Sequence, residues 1–319
     1  MDVSVIIPVL NEEKHIEDLL SSIYNTNDCN IEIFVCDAGS TDHTLSILNN
    51  LKFPNLNIIY NPEKFVSFAF NNVFTRTKGK YIALLGAHAY YPPHYFDYAI
   101  PYLETECDVV GGPLIQLGKT TSGKAIALAM SSKFGVGGTE FRTEKKKMVV
   151  DSVAFAVYKR DIFDTVGLLD ETLLRNQDDE LHYRMNAYGY KLLMVPELEC
   201  RYYVRDSFAA LFHQYFQYGL YKPLVFAKVK SGIRLRHIIP SLFVGYLCCV
   251  PFLWILLGAM SLLPLAFYVT LAILMALQLS RSLFTLLNIV AAFVTLHLSY
   301  GSGFILGLYK YFQYQFNQK

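Results

Sequence analysis

Beyond Asp206 the sequence has no aspartate or glutamate, although 8 of its 28 lysines and arginines lie there. The first 206 residues hold all 27 acidic and the other 20 basic residues, so a near-neutral whole of +1 divides into −7 and +8. Between Ile238 and Ser280 charge is missing altogether: 43 residues contain no Asp, Glu, Lys or Arg. Such a run excludes a wholly water-facing chain. With 53% apolar residues and a mean hydropathy of +0.28, part of the chain is expected to meet lipid.

Paired cysteines are missing too. The six cysteines, at 29, 36, 107, 200, 248 and 249, show no CxxC spacing and no secretory context, which argues against a zinc site or a disulfide framework. A reducing compartment is expected for the polar half. Met1 runs straight into VSVIIPV, without the basic start, apolar stretch and cleavage site of a signal peptide, so this half is expected to stay cytoplasmic. No GxGxxG follows the first strand, which removes support for a dinucleotide fold of that type. Repeats, low-complexity tracts and nucleic-acid motifs are not evident.

As helix, the uncharged run would extend about 65 Å against a hydrocarbon core of about 30 Å, enough for two crossings. A break near Ser261 to Pro264 separates spans around 239–260 and 263–280. A third apolar run, Ser282 to Tyr309, is also long enough, but His297, Gly301, Gly303 and Gly307 interrupt it, leaving crossing, re-entry and an interfacial position all open. Lys222, Lys228, Lys230, Arg234 and Arg236 crowd the approach to the first span with no compensating acid. The positive-inside rule puts that side in the cytoplasm, and adjacency to a span favours lipid over nucleic acid as their partner. The stretch SFAALFHQYFQYGLYKPLVF, residues 207–226, reads as an interfacial helix or as a buried soluble one.

Before this region, strand-like and helix-like runs alternate: VSVIIPV, EEKHIEDLLSSIY, IEIFVCDAG, TLSILNNL, LNIIYN, FAFNNVF, KYIALLGAH and DVVGGPLI. Alternation of this kind predicts an α/β fold with a mostly parallel sheet, whose ligands bind outside the carboxyl ends of the strands. Three such ends are polar and rich in small residues: Pro8-Val9-Leu10-Asn11-Glu12, Asp37-Ala38-Gly39-Ser40-Thr41-Asp42 and Gly86-Ala87-His88. Each alone could be a turn with a helix cap; three at successive strand ends point to a site. Further on, RNQDDELHYR places Asp178, Asp179 and Glu180 side by side where a helix is expected to begin. Asn176 with Asp179 has capping-box spacing, and Leu181, Met185 and Tyr188 form an apolar stripe expected to be buried.

VSVIIPVLNEE followed by VCDAGSTDHT resembles the opening of the family 2 glycosyltransferases of the GT-A fold. The likeness continues through NPEKFVSFAFNNVFTRTKGKYIALL, with Asn71 at a recurring asparagine. The runs SSKFGVGGTEFR, DSVAFAVYKRDIFDTVGLLDE and LLRNQDDELHYRMNAYGYK resemble the branch of that family that includes a succinoglycan glycosyltransferase. The resemblance implies a Rossmann-like nucleotide-sugar-binding domain over 1–206, an interfacial amphipathic and basic segment over 207–237, and a membrane region with two or three transmembrane helices over 238–319.

The resemblance also implies roles. The family carries a Glu-Asp pair with Leu three and Arg six residues beyond the Asp; Leu181 and Arg184 fix the register. Asp178 then matches the catalytic base and Gln177 departs from the Glu. Pro8, Asn11, Glu12, Asp37, Ser40 and Asn71 fall on the nucleotide-sugar side. The D-x-D position, which holds a divalent metal (Mn²⁺ or Mg²⁺), reads Gly86-Ala87-His88, leaving His88 as a metal or diphosphate contact. Arg184, together with Gln214, Gln217 and Tyr218 of a stretch similar to a Q-x-x-R-W motif, falls on the acceptor or diphosphate side. Phe134 to Gly138 and Lys145 to Lys147 read as a flexible acceptor-side loop, or as a solvated one.

The expectation is an inverting glycosyltransferase at the inner membrane, catalytic domain in the cytoplasm. It takes a glucose-like sugar from a UDP-sugar donor to a lipid-linked saccharide acceptor, a polyprenyl diphosphate, in bacterial exopolysaccharide or surface polysaccharide synthesis. Transfer to polyprenyl phosphate, and a non-catalytic membrane-anchored subunit, are the alternatives.

Overall fold

The computed structural model describes residues 1–230 and 232–317, with the side chains of Gln315 and Asn317 excepted. The chain opens with β1 (Val3–Val9), α1 (Ile16–Thr26), β2 (Ile31–Asp37), α2 (Thr44–Asn50), β3 (Leu56–Tyr60), α3 (Val66–Phe74) and β4 (Tyr81–Leu84). Next come β5 (Ala89–Tyr90), α4 (Tyr95–Thr105), β6 (Val109–Gly112), β7 (Leu114–Leu117), α5 (Thr121–Met130), α6 (Lys133–Val136) and α7 (Glu140–Thr143). Then follow β8 (Met148–Val149), β9 (Ala154–Lys159), α8 (Ile162–Val166), α9 (Gln177–Ala187), β10 (Leu192–Met194) and β11 (Cys200–Tyr203). Four long helices close the chain: α10 (Phe208–Val229), α11 (Leu235–Leu257), α12 (Leu263–Leu279) and α13 (Leu283–Asn317).

Two compact units result. The first comprises 1–115 and 144–202, the second 116–143 and 203–319. The chain changes unit three times, and 116–143 groups with the closing helices.

The first unit is built on an eight-stranded sheet ordered β3-β2-β1-β4-β9-β6-β10-β8. β1 pairs in parallel with β2 and β4, and β2 with β3, while β9 runs antiparallel between β4 and β6. This is the mostly parallel α/β sheet expected. β1 and β2 lie inside the sheet, each with a strand on either side, and their near-continuous apolar runs suit strands covered on both faces. Buried Ser4 of β1 donates to Glu32 Oε1 at 2.5 Å and accepts the Gly79 N–H at 2.8 Å, so its hydroxyl is not stranded in the core.

In the second unit, Leu235–Leu279 (45 residues, broken at 258–262) and Leu283–Tyr314 (32 residues) are each long and apolar enough to cross a membrane. Ile255, Leu256 and Phe267 are among the side chains left bare along α11 and α12, a surface that suits hydrocarbon rather than water. The break at 258–262 overlaps the one expected near Ser261 to Pro264, and Pro264 falls in the first turn of α12. The third run differs from a broken one: α13 is a continuous helix of 35 residues, and its glycines are points of close approach. A Cβ on Gly303 would stand 2.1 Å from the Phe216 carbonyl oxygen, one on Gly307 2.4 Å from that of Leu220, and one on Gly219 2.2 Å from that of Tyr300. α10 and α13 thus cross with their backbones touching, which only glycine permits.

Two further expectations are corrected. Residues 134–138 are not a free loop: the Phe134 ring packs edge-on to Phe293 at 4.8 Å, and its carbonyl accepts the His297 Nε2–H at 2.9 Å. The basic approach to the first span is not without an acid either. Glu140 meets Arg236 at 3.5 Å and Arg234 at 3.8 Å, and Lys222 is buried. The compensating carboxylate comes from nearly a hundred residues upstream, where no local window finds it.

Candidate active site

β1 and β2 leave the sheet side by side, Pro8 opposite Cys36 and Val9 opposite Asp37. Buried Asp37 folds the chain back on itself, its carboxylate accepting the N–H groups of Gly39 at 2.9 Å and Ser40 at 3.1 Å. Gly39 supplies the positive φ of 87° that this turn needs. Asn11, also left-handed at φ 57°, donates its N–H to Ser40 Oγ at 2.9 Å and accepts the Thr41 N–H at 2.8 Å. One residue on, the Glu12 N–H reaches Thr44 Oγ1 at 2.8 Å. Asn11 after β1, Asp37 at the end of β2 and Ser40 beyond it therefore form one laced rim at the carboxyl end of the sheet.

The end of β4 meets the same rim. His88 Nδ1 lies 3.2 Å from Glu12 Oε1, and the imidazole, 43% exposed, rests against the Tyr202 ring at 5.3 Å. Gly86 has a physical reason for lacking a side chain: a Cβ there would come 2.8 Å from Phe155 Cε1. Phe155 is itself left-handed (φ 51°), its carbonyl accepts the Tyr95 O–H at 2.7 Å and its ring stands edge-on to Tyr91. A metal-binding carboxylate at 86 would have to displace an aromatic ring. What remains for a cation at this strand end is His88, whose Nδ1 is paired with a carboxylate, as metal-ligating histidines often are.

The three carboxylates at the start of α9 have separate fates. Glu180 is 4% exposed and grips Arg184 with both oxygens, at 2.9 Å (Nε) and 2.8 Å (Nη2). The same guanidinium donates to the carbonyls of Val166 and Leu168. Arg184 is thereby tied into the fold between α8 and α9. Asp179 accepts the Ser152 O–H at 3.1 Å. Asp178 is exposed, with Oδ1 accepting the Asp179 N–H at 2.9 Å. The expected side-chain cap by Asn176 is not made; that residue takes φ 60° and helps to turn the chain into the helix, so the capping-box expectation is corrected. Leu181 and Met185 are buried as expected, but Tyr188 is 61% exposed because it lies at the helix terminus, past the last covered turn.

Asn71 donates to the Leu169 carbonyl and to Glu171 Oε1, both at 2.9 Å, and accepts the Leu169 N–H, so it clamps the loop ahead of α9. Gln214, Gln217 and Tyr218 belong to the second unit, on α10, where Gln214 Nε2 donates to Tyr218 Oη at 3.1 Å. Sequence reasoning passed over Ser152, Tyr158 and His182. His182 is 1% exposed with both ring nitrogens engaged, Nδ1 with Ser152 Oγ and Nε2 with Tyr158 Oη, each at 2.9 Å. A histidine four residues after Asp178, on the buried face of the helix, was the available signal.

The profile of glycosyl transferase family 2 matches residues 4–167. Among curated relatives, the succinoglycan biosynthesis protein ExoA of Rhizobium meliloti (strain 1021) is 31% identical over 242 residues, covering 74% of this chain and 73% of that one. The dolichyl N-acetyl-alpha-D-glucosaminyl phosphate 3-beta-D-2,3-diacetamido-2,3-dideoxy-beta-D-glucuronosyltransferase of Methanococcus voltae is 28% identical, covering 71% of this chain and 74% of its own. In fold, the mannosyltransferase PcManGT of Pyrobaculum calidifontis, solved with GDP-Man and Mn²⁺, superposes with a TM-score of 0.64 at 19% identity, covering 97% of this chain and 87% of that one. With a GT-A-like sheet, a laced rim at its carboxyl end and a family profile over half its length, the chain belongs to glycosyl transferase family 2 and is a glycosyltransferase.

Proposed function

We propose that the protein moves one glucose-like sugar, with inversion, from a UDP-sugar to a polyprenyl-diphosphate-linked saccharide during assembly of a bacterial exopolysaccharide or surface polysaccharide. Asp178 is the base that takes the proton from the acceptor hydroxyl. The observation that carries this is the sorting of the carboxylates on α9: Glu180 is held by Arg184, Asp179 by Ser152, and Asp178 alone of the three is exposed. Its place at a helix start favours the ionised form that a base needs.

The rim formed by Pro8, Asn11, Glu12, Asp37 and Ser40 receives the nucleotide, with backbone turns already set by the hydrogen bonds among them. Asn71 supports that side by holding the 169–171 loop. His88 would hold a divalent metal, Mn²⁺ or Mg²⁺, which when bound offsets the charge on the diphosphate leaving group. PcManGT, described with Mn²⁺ and GDP-Man, supports that reading. Gln214, Gln217 and Tyr218 serve the acceptor side; Arg184 acts there through the fold it braces.

A lipid-linked acceptor accounts for two apolar stretches long enough to span a bilayer, and the name of the Methanococcus voltae relative includes a dolichyl N-acetyl-alpha-D-glucosaminyl phosphate. Lys228 and Lys230, before the first span, favour the cytoplasmic side of the inner membrane for the catalytic unit.

The test is transfer from a panel of UDP-sugars to bacterial membrane lipid extract, with and without Mn²⁺. Asp178→Asn is expected to lower kcat about 10²- to 10⁴-fold with UDP binding retained. Undiminished transfer by Asp178→Asn would remove Asp178 as the base. Transfer only from GDP-sugars would remove the UDP reading.

A further inference from the structure

Behind the start of α9 four side chains form a buried chain: Asp179, Ser152, His182 and Tyr158. Its direction follows from hydrogen counting. The single Ser152 proton goes to Asp179 Oδ1, since a carboxylate only accepts. The 2.9 Å contact between Ser152 Oγ and His182 Nδ1 is therefore an Nδ1–H donation. That leaves His182 Nε2 as the acceptor of the Tyr158 O–H, also at 2.9 Å. Burial pushes His182 down to about 4, so the ring is neutral and has one tautomer. Burial, reinforced by the charge of Asp178, raises Tyr158 well above the usual phenol range, so its proton stays on oxygen to be donated.

The chain reaches Asp178 through Asp179, which is anchored by Ser152 and gives its N–H to Asp178 Oδ1 at 2.9 Å. Tyr158 stands in the middle of the sheet on β9, 2% exposed, so the chain ties the first turn of α9 to a buried interior strand.

We propose that Ser152, His182 and Tyr158 are positioning residues for Asp178: a one-way hydrogen-bond chain from the sheet that fixes the orientation of the carboxylate at the helix start. This rests on the reading of Asp178 as the base. The chain holds the carboxylate where it meets the acceptor hydroxyl, and its hydroxyls and imidazole exchange no proton with substrate.

The experiment uses the full-length protein in detergent, labelled with ¹⁵N-histidine and ¹³Cγ-aspartate, and this arm needs no donor. His182, assigned through His182→Gln, is expected to show the neutral Nδ1–H tautomer. Ser152→Ala is expected to abolish that preference and to move the Asp178 carboxyl resonance, assigned through Asp178→Asn. An Nε2–H tautomer in the wild type, or an Asp178 resonance indifferent to Ser152→Ala, overturns the proposal. In the transfer assay Ser152→Ala lowers kcat about tenfold at unchanged donor KM and unchanged Tm, and Ser152→Thr restores it. A fall in kcat that tracks Tm and that threonine does not rescue assigns the chain to folding and overturns the proposal as well. Transfer surviving Asp178→Asn defeats the base reading instead, while the tautomer reports on the chain separately.

Discussion

Glu12 Oε1 lies 3.2 Å from His88 Nδ1 across 76 positions of sequence, joining the loop after β1 to the loop after β4. On the proposed reading of His88 as the metal ligand, a carboxylate in this place would orient the imidazole and leave Nε2 for the cation. Glu12→Gln is therefore expected to cost about 10- to 100-fold in the Mn²⁺ affinity of transfer. His88→Ala should remove the Mn²⁺ response. A Mn²⁺ titration of initial rates, with UDP binding measured by calorimetry, checks both.

Arg184 is expected to act on stability first. Arg184→Ala leaves Glu180 buried without its cation and frees two carbonyls, a loss of about 3–5 kcal/mol seen as a large fall in the denaturation midpoint. Arg184→Lys should recover only part of it, since one ammonium cannot reproduce the two-oxygen grip.

Acid should weaken the first unit through His182. Its folded value, depressed to about 4 by burial, lies below the ordinary histidine value of 6.5. An unfolded chain binds the proton before the folded one does, so the contribution is intact above pH 6.5 and is lost as pH falls towards 4. The whole window amounts to about 3 kcal/mol. Denaturant midpoints for wild type and His182→Gln, compared at pH 7 and pH 4.5, should converge as pH falls.

Two glycines on long helices predict opposite outcomes. Gly303→Ala drives a methyl group against the Phe216 carbonyl and is expected to cost about 1–3 kcal/mol, measured as a lower Tm in detergent. Gly245→Ala, with no atom within 4 Å of the new Cβ, should leave Tm unchanged or slightly raised.

β1, β2 and β3 were legible because apolar runs of five to seven residues ended in polar turns, and the site rim was legible because the turns after β1 and β2 follow strands that pair. The membrane-length helices were equally plain, since charge is absent over dozens of positions. Contacts that skip long distances in sequence left no trace. Glu140 neutralises Arg236 across 96 residues, and Phe134 reaches His297 across 163. Gly303 read as a helix breaker because its reason for being glycine, the carbonyl of Phe216, lies on another helix. Arg184 matched a family position, yet no spacing announces that its donors are taken by Glu180, Val166 and Leu168.

The glycine seam between α10 and α13 bears on how the protein can be dissected. Cutting the chain ahead of α11 to obtain a water-soluble enzyme would strip α10 of the helix against which Gly219 is pressed, baring apolar side chains from Leu211 to Phe226. Such a fragment would aggregate through α10 rather than behave as a soluble enzyme. Detergents or nanodiscs, with the last helix retained, are the practical route to purified material.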